Sequence, residues 1–509
     1  MLTGLVGLAI TAGLVSAAPR KPKLIVAIII DQFRYDYLTR FRSEYTAGFD
    51  RLLTKGAVFT NASYVHFPTL TAVGHSTFLS GAPPSVSGIV GNDWFDREEN
   101  KKVTSVSDSN TQLLGGKGEG ASPHRMLVST LGDEMKMAVG PKSHVIGISL
   151  KDRAAILPAG HMADGAYWFD LNSGNFVSST YYMTELPGWV KDINSGHPGE
   201  KYRGVTWMGH TLPTDLKTLY GDNNKSPLES SPFGNELVEM MAERALTAEQ
   251  LGKHEGTDLL TVSYSSNDKV GHDYGTYSPE EHDITVKTDK ILDQLFRAID
   301  RQVGLDNALI VLSADHGVAP SAAEDTRNHM PGSRVAPDFV KDAVQGALVK
   351  KYGDGDWVAG HWDLLIYLNQ ELIAKKGLDA AEVRKTAAQA VFAMPHVSRV
   401  YTRDQLMNGA VPMDEVNRRV VNGFNMRRSP DVEFLPEPYW FVTKSVSTHG
   451  TPFVYDSHVP IIFLGAGIRA GQFDGPAIVN DIAPTLATIM EVETPSGSIG
   501  RVLTEMFEK

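Results

Sequence analysis

Carboxylates and imidazoles follow apolar runs at three separate places in this chain of 509 residues. Asp31 comes directly after the run from Leu24 to Ile30 (LIVAIII). Asp268 and His272 lie just beyond LLTVSY at 259–264, in the phrase SSNDKVGHDYG, and Asp315 and His316 follow ALIVLS at 308–313. In open parallel sheets, ligands bind outside the carboxyl ends of the strands, so these residues should converge on one side of the molecule. Oxygen and nitrogen donors in that number form a metal-site composition suited to zinc. Each residue alone has a plainer role. An Asp after a strand serves as a turn residue or helix cap, and a single His as a surface or hydrogen-bonded residue. Five together, beside a nucleophile, point to metal.

The candidate nucleophile is Thr71, in the phrase FPTLTAVGHS at 67–76. Pro68 breaks the preceding segment, and Thr71 opens a predicted helix running towards Leu79 and Ser80. A hydroxyl at a helix N-terminus lies at the positive end of the dipole, which favours an alkoxide and an incoming phosphate. Threonine is a poor nucleophile at neutral pH, so metal coordination has to activate it. Standing alone, the motif reads equally well as an N-cap.

The elements that must position these residues are predicted as α/β, a mostly parallel central sheet with helices on both faces. The continuous apolar, β-branched run at 23–30 fits a strand buried on both faces, as do 144–149, 259–264, 308–313 and 459–464. Ile284, Val286, Ile291, Leu292, Leu295, Phe296 and Ile299 mark an amphipathic helix, and 480–490 a second helix near the C-terminus. The catalytic domain is expected to run from 22 to 509. Cap insertions are expected at about 155–235 and 318–445, which are richer in Gly, Pro, Trp, Tyr and Asn and lack the strand–helix rhythm. Trp168, Phe169 and Trp440 are candidates to line the entrance, which the sequence does not position.

Composition narrows the function classes. Hydrophobic residues make up 42% and charged residues 21%, as in ordinary globular proteins. A net charge of −12 gives no general attraction to nucleic acid or an anionic membrane, so no nucleic-acid partner is expected. With no cysteine, disulfides, thiolate nucleophiles and Cys-based zinc sites are excluded. Residues 1–18, MLTGLVGLAITAGLVSAA, read as a signal peptide cut near Ala17 or Ala18, the alternative being an uncleaved anchor. The expectation is an exported bacterial protein, periplasmic or extracellular, with no stable membrane partner after cleavage.

The phrase PTLTAVGH, followed by Gly91-Asn92-Asp93, resembles the nucleophile region of the alkaline phosphatase superfamily. More narrowly, the chain resembles the PafA-type bacterial secreted alkaline phosphatases with a threonine nucleophile, relatives of the nucleotide pyrophosphatase/phosphodiesterases. The motifs carrying the resemblance run in order along nearly the whole mature chain: IDQFR at 30–34, SLKDR at 149–153, NDKVGH at 267–272, ADHG at 314–317, THGTP at 448–452 and DIAPTLA at 481–487. The resemblance implies two zinc ions. Asp268, His272 and His449 would hold one. Asp31, Asp315 and His316 would hold the other, with Thr71 as its exchangeable ligand. It makes Thr69 supporting structure, and His449 rather than the nearby His458 the last ligand; His75 reads as a helix-packing or supporting residue.

Phosphoryl transfer also needs donors for the remaining oxygens. Asn92 offers its amide. Lys151 and Arg153, two apart on what reads as a strand-like segment, would point to one face and grip the dianionic end of a monoester. Their plainer role is a solvated charged loop. In the family this pair marks monoesterases, so the resemblance implies an alkaline phosphatase acting on small-molecule phosphate monoesters through a phosphothreonine. The alternatives are a type I phosphodiesterase/nucleotide pyrophosphatase with the same centre, or a non-catalytic exported metal-containing binding protein. Sulfatases are disfavoured because their Cys/Ser-x-Pro-x-Arg motif is absent.

Overall fold

The computed structural model describes residues 21–221 and 225–507; the leader expected at 1–18 lies outside them. Its centre is an eleven-stranded mixed sheet. In spatial order the strands are Gly471–Ile478, Ala57–Ser63, Ile461–Gly465, Ala308–Ser313, Leu24–Ile30, Asp258–Tyr264, Val145–Ser149, Gly165–Asp170, Asn175–Ser179, Ser107–Leu114 and Glu119–Ala121. The five strands from Ala308–Ser313 to Gly165–Asp170 pair in parallel. All seven residues of Leu24–Ile30 are buried. Each such aliphatic side chain taken from water contributes about 1.5–3 kcal/mol before chain entropy is subtracted. A continuous apolar run is therefore what a central strand covered on both faces requires.

Register aligns the strand ends. Ile29 pairs with Ser263 on one side and Ser313 on the other, and Ser263 pairs with Ser149. The residues just past this row carry Asp31, Asp268, Asp315 and Lys151, so four segments distant in sequence deliver charged groups to one rim. The expected strand at 459–464 is shorter and runs the other way. Ile461–Gly465 is antiparallel to both Ala308–Ser313 and Ala57–Ser63. Pro460 has no N–H to give a ladder, and burial on both faces looks the same in sequence for either direction.

The amphipathic pattern at 284–299 forms the middle of a helix from Pro279 to Val303, opened by Ser278, whose hydroxyl accepts the Glu281 N–H at 3.0 Å. Its buried face includes Asp289, which accepts the N–H groups of Thr46 and Phe49 and so caps the helix Gly48–Lys55. The helix expected at 480–490 runs from Ile482 to Met490. Among the described residues, no helix is long and apolar enough to cross a membrane.

Two strands inside 155–235, Gly165–Asp170 and Asn175–Ser179, belong to the central sheet, so that stretch is not wholly an insertion over it. Trp168 and Phe169 lie on the first of them and are buried, Phe169 edge-on to Phe176 and Tyr220. They are core residues of the sheet rather than an entrance, because strand alternation in a covered sheet buries both faces. Within 318–445, a separate four-stranded sheet forms from Val358–Trp362, Leu365–Leu368, Val432–Pro436 and Val397–Thr402, packed against the helices Pro337–Tyr352 and Ala380–Phe392.

Glu433 is buried in this smaller sheet, and among the described residues its Oε1 has no hydrogen-bond partner. Burial pushes its pKa up from 4.5 to about 8. Between those values the folded chain keeps a proton that the unfolded chain has lost. The resulting stability is fully present below the unfolded pKa and lost as pH rises through the folded one. Glu433→Gln should therefore match the parent's melting temperature near pH 5 and exceed it by about 4–8 °C near pH 9. Calorimetric melts at the two pH values check this; an equal shift at both would show that the proton is not the cause.

Candidate active site

Thr71 is the first residue of the helix Thr71–Ser80, every residue of which is buried. Leu70 holds the N-cap position without a side-chain cap, so Thr71 is not itself the cap. Gly74 sets how close this helix comes to the sheet: a Cβ there would lie 2.1 Å from the Asp315 carbonyl oxygen. Only glycine lets the helix backbone rest against the strand end carrying Asp315. His75 reinforces the contact. Its Nδ1 pairs with the Thr71 carbonyl at 2.8 Å and lies 3.3 Å from Asp315 Oδ2, and its Nε2 meets the Ser263 hydroxyl at 2.8 Å. His75 thus ties the helix to two strand ends.

Asp31, Asp315 and His316 come together in one group, their donor atoms within 4.8 Å of one another. His316 Nε2 stands 3.5 Å from Asp31 Oδ1 and 3.4 Å from Asp315 Oδ2. All three atoms are buried and, among the described residues, without a hydrogen-bond partner. Buried polar atoms are almost always paired, so three orphaned lone-pair donors converging at one point fit a cation. A second group joins Asp268, His316 and His449. His272, expected in that set, stands one step outside: its Nε2 is 3.1 Å from Asp268 Oδ1, one helical turn along Ser266–Tyr274, and its ring centroid is 5.1 Å from that of His449. His316 is instead stacked on His449, with centroids 3.5 Å apart, and lies between the two groups.

All three imidazoles are oriented alike. Nδ1 of His272 meets the Ser447 carbonyl at 2.8 Å, that of His316 the Gly317 carbonyl at 2.9 Å, and that of His449 the Thr69 carbonyl at 2.8 Å. A proton donated from Nδ1 leaves Nε2 as the lone pair aimed inward, the tautomer a metal ligand needs. Thr69 also donates its hydroxyl to the Thr451 carbonyl at 2.9 Å, which holds the segment before Thr71 against the loop carrying His449. His458 lies elsewhere, bonded to the Thr60 carbonyl at 2.9 Å and stacked on Tyr35.

Lys151 Nζ donates to Asp31 Oδ2 at 2.5 Å and to Asp268 Oδ2 at 2.6 Å, one carboxylate from each group. Burial alone would lower its pKa, but Asp268 and Asp31 raise it above the ordinary value, so the ammonium stays charged. Burial, then repulsion from Asp268 and Asp315, pushes the Asp31 carboxyl well above the usual range. Were all three buried carboxylates ionised, one ammonium would leave negative charge uncompensated, which is costly at low dielectric and is relieved by divalent cations. The mixed carboxylate–imidazole donor set fits zinc.

Lys151 and Arg153 are not on a strand. The strand ends at Ser149; Lys151 is the N-cap of the helix Asp152–Ala159 and Arg153 lies in its first turn. Asp152 in that turn favours helix initiation, which alternation of charges does not reveal. Asn92 accepts the Ala72 N–H on its Oδ1 at 2.8 Å, which leaves its amide N–H groups turned away from that bond, next to the start of the Thr71 helix. Trp440 lines a small cavity with Asp363, Phe441 and His449. Sequence reading missed Asp363, which takes φ +53° at the turn between Val358–Trp362 and Leu365–Leu368, and Gln32, whose bonds are described below. Asp363 lies in none of the motifs read from the sequence, and Gln32 lies within IDQFR at 30–34 without a role read for it.

Residues 25–458 match the type I phosphodiesterase/nucleotide pyrophosphatase family. The chain is 35% identical to alkaline phosphatase PafA of Elizabethkingia meningoseptica, over 99% of this chain and 98% of that protein. It is also 35% identical to alkaline phosphatase PhoV of Synechococcus elongatus, over 96% and 93% respectively. The crystal structure of wild-type alkaline phosphatase PafA superposes with a TM-score of 0.88 at 34% identity, covering 96% of this chain and all of that one.

Proposed function

The chain belongs to the type I phosphodiesterase/nucleotide pyrophosphatase family and is a phosphoric ester hydrolase; we propose that its reaction is hydrolysis of phosphate monoesters through a phosphorylated Thr71. The observation that carries this reading is Lys151, a buried ammonium placed between two Asp/His groups at the rim where the Thr71 helix begins. Of two zinc ions, Asp31, Asp315 and His316 would hold one, and Asp268, His449 and His272 the other. When bound, they supply Lewis acidity, lowering the pKa of a coordinated hydroxyl and offsetting charge on the attacking and leaving oxygens.

The protein's own groups do the rest. Thr71 Oγ1 gives up its proton and attacks phosphorus; the Oγ1–P bond forms as the ester P–O bond breaks, and the leaving oxygen takes an equivalent proton from water and departs as an alcohol. Water then attacks the phosphothreonine from the vacated side, forming inorganic phosphate and freeing Thr71. Two inversions give retention at phosphorus. Lys151 and Arg153 bind the two negative charges of the monoester, and the Asn92 amide donates to a non-bridging oxygen. Small phosphate monoesters are therefore the substrates, and the leader at 1–18 makes the protein an exported one.

The test is zinc-loaded protein assayed on p-nitrophenyl phosphate and bis-p-nitrophenyl phosphate, before and after chelator treatment. The expected result is faster monoester turnover, lost on chelation and restored by added zinc. Faster diester turnover would make it a phosphodiesterase with the same centre, and cleavage of neither would leave a binding protein.

A further inference from the structure

Gln32 follows Asp31 and is 1% exposed. Its backbone takes φ +64°, a left-handed conformation that a long side chain rarely adopts and that glycine would take freely. What the chain gains there is a pair of bonds to two carboxylates. The Gln32 N–H donates to Asp315 Oδ1 at 3.0 Å, and its side-chain Nε2 donates to Asp268 Oδ1 at 2.8 Å. The helix carrying Asp268 is shaped around this amide: a Cβ on Gly271 would lie 1.9 Å from Gln32 Oε1. Asp268 Oδ1 is also the oxygen nearest His272 Nε2 and His449 Nε2, at 3.1 and 3.6 Å. The Gln32 amide therefore grips, from behind, the oxygen that faces both imidazoles.

We propose that Gln32 is a positioning residue that holds Asp268 for the second zinc through its side chain and Asp315 for the first through its backbone, an inference that rests on the two-zinc reading above. The division of labour makes the two sites separable. Substitution of the side chain removes the bond to Asp268 but keeps the N–H to Asp315. Loss of a hydrogen bond that orients a ligand weakens metal affinity by about 10–100-fold.

The experiment is zinc binding to the metal-stripped full-length protein in competition with a chromophoric chelator, for the parent, Gln32→Gly and Gln32→Asn. Gly and Asn both accept the left-handed backbone, and neither side chain reaches as far as glutamine's. The expected result is two zinc ions bound by the parent, with one site weakened by about 10–100-fold in both variants and the other unchanged within about threefold. The metal-free variants should melt no lower than the metal-free parent. Two sites of parental affinity in both variants would overturn the role of Gln32 while leaving the zinc reading intact. Equal weakening of both sites, together with a lowered metal-free melting temperature, would make Gln32 merely structural. A parent that binds no zinc would sink the reading beneath it.

Discussion

Thr71→Ala should lower kcat/KM for p-nitrophenyl phosphate by on the order of 10³-fold or more, and abolish acid-stable labelling of the protein by a phosphoryl group. The size of the effect follows from what is removed. The hydroxyl is the atom that forms the bond to phosphorus, and the groups left behind can only position water in its place. The fold should be spared. Thr71 is the first residue of its helix, its side chain caps nothing, and alanine is the better helix former. A melting temperature within a few degrees of the parent would therefore separate lost chemistry from lost structure. Thr71→Ser keeps the hydroxyl and should retain measurable turnover and labelling. Turnover by Thr71→Ala at near-parental rates would show that water attacks phosphorus directly and would end the phosphothreonine reading.

Lys151 and Arg153 carry the second large effect, and its diagnostic is a ratio. A monoester presents two negative charges and a diester one, so a cation matched to the second charge serves only the monoester. Arg153→Ala should cut kcat/KM for the monoester by about 10²-fold and change the diester rate little, consistent with the loss of one preorganised donor. Among the described residues its guanidinium reaches no acid nearer than the neighbouring Asp152, at 3.7 Å, so no carboxylate of the site loses a partner. Lys151→Ala should cost the monoester more, about 10²–10³-fold, because its ammonium also sits between Asp31 and Asp268. That second role predicts a smaller loss for the diester as well. Equal losses on both substrates in both variants would mean that neither cation recognises the dianion.

The strands that build the site were legible because a strand covered on both faces needs a largely apolar run without charges, and LIVAIII, LLTVSY and ALIVLS are such runs. The clustering of the candidate site was legible because in a parallel sheet polar residues just past the strand ends gather on one rim, as Asp31, Asp268 and Asp315 do. What sequence could not convey is contact at a distance. Apolar alternation does not distinguish Ile461–Gly465, which runs antiparallel, from its parallel neighbours. Trp168 and Phe169 look like pocket-lining aromatics until the sheet is seen to extend over them. The spacing of Lys151 and Arg153 suits a strand as well as a helix start. Gln32 is the clearest case: its value comes from a left-handed turn and from Gly271 above it, and neither residue advertises the other.

The arrangement of the central sheet also bears on how the chain is made. Leu24–Ile30 leaves the ribosome well before both its neighbours, Asp258–Tyr264 and Ala308–Ser313, which follow it by more than two hundred residues. For the time it takes to synthesise more than two hundred further residues, a seven-residue apolar strand has neither of its native neighbours. Such pairing is of high contact order and slow to form, and an unpaired apolar edge is a template for aggregation. Native pairing of that strand must therefore wait for segments more than two hundred residues further along the chain.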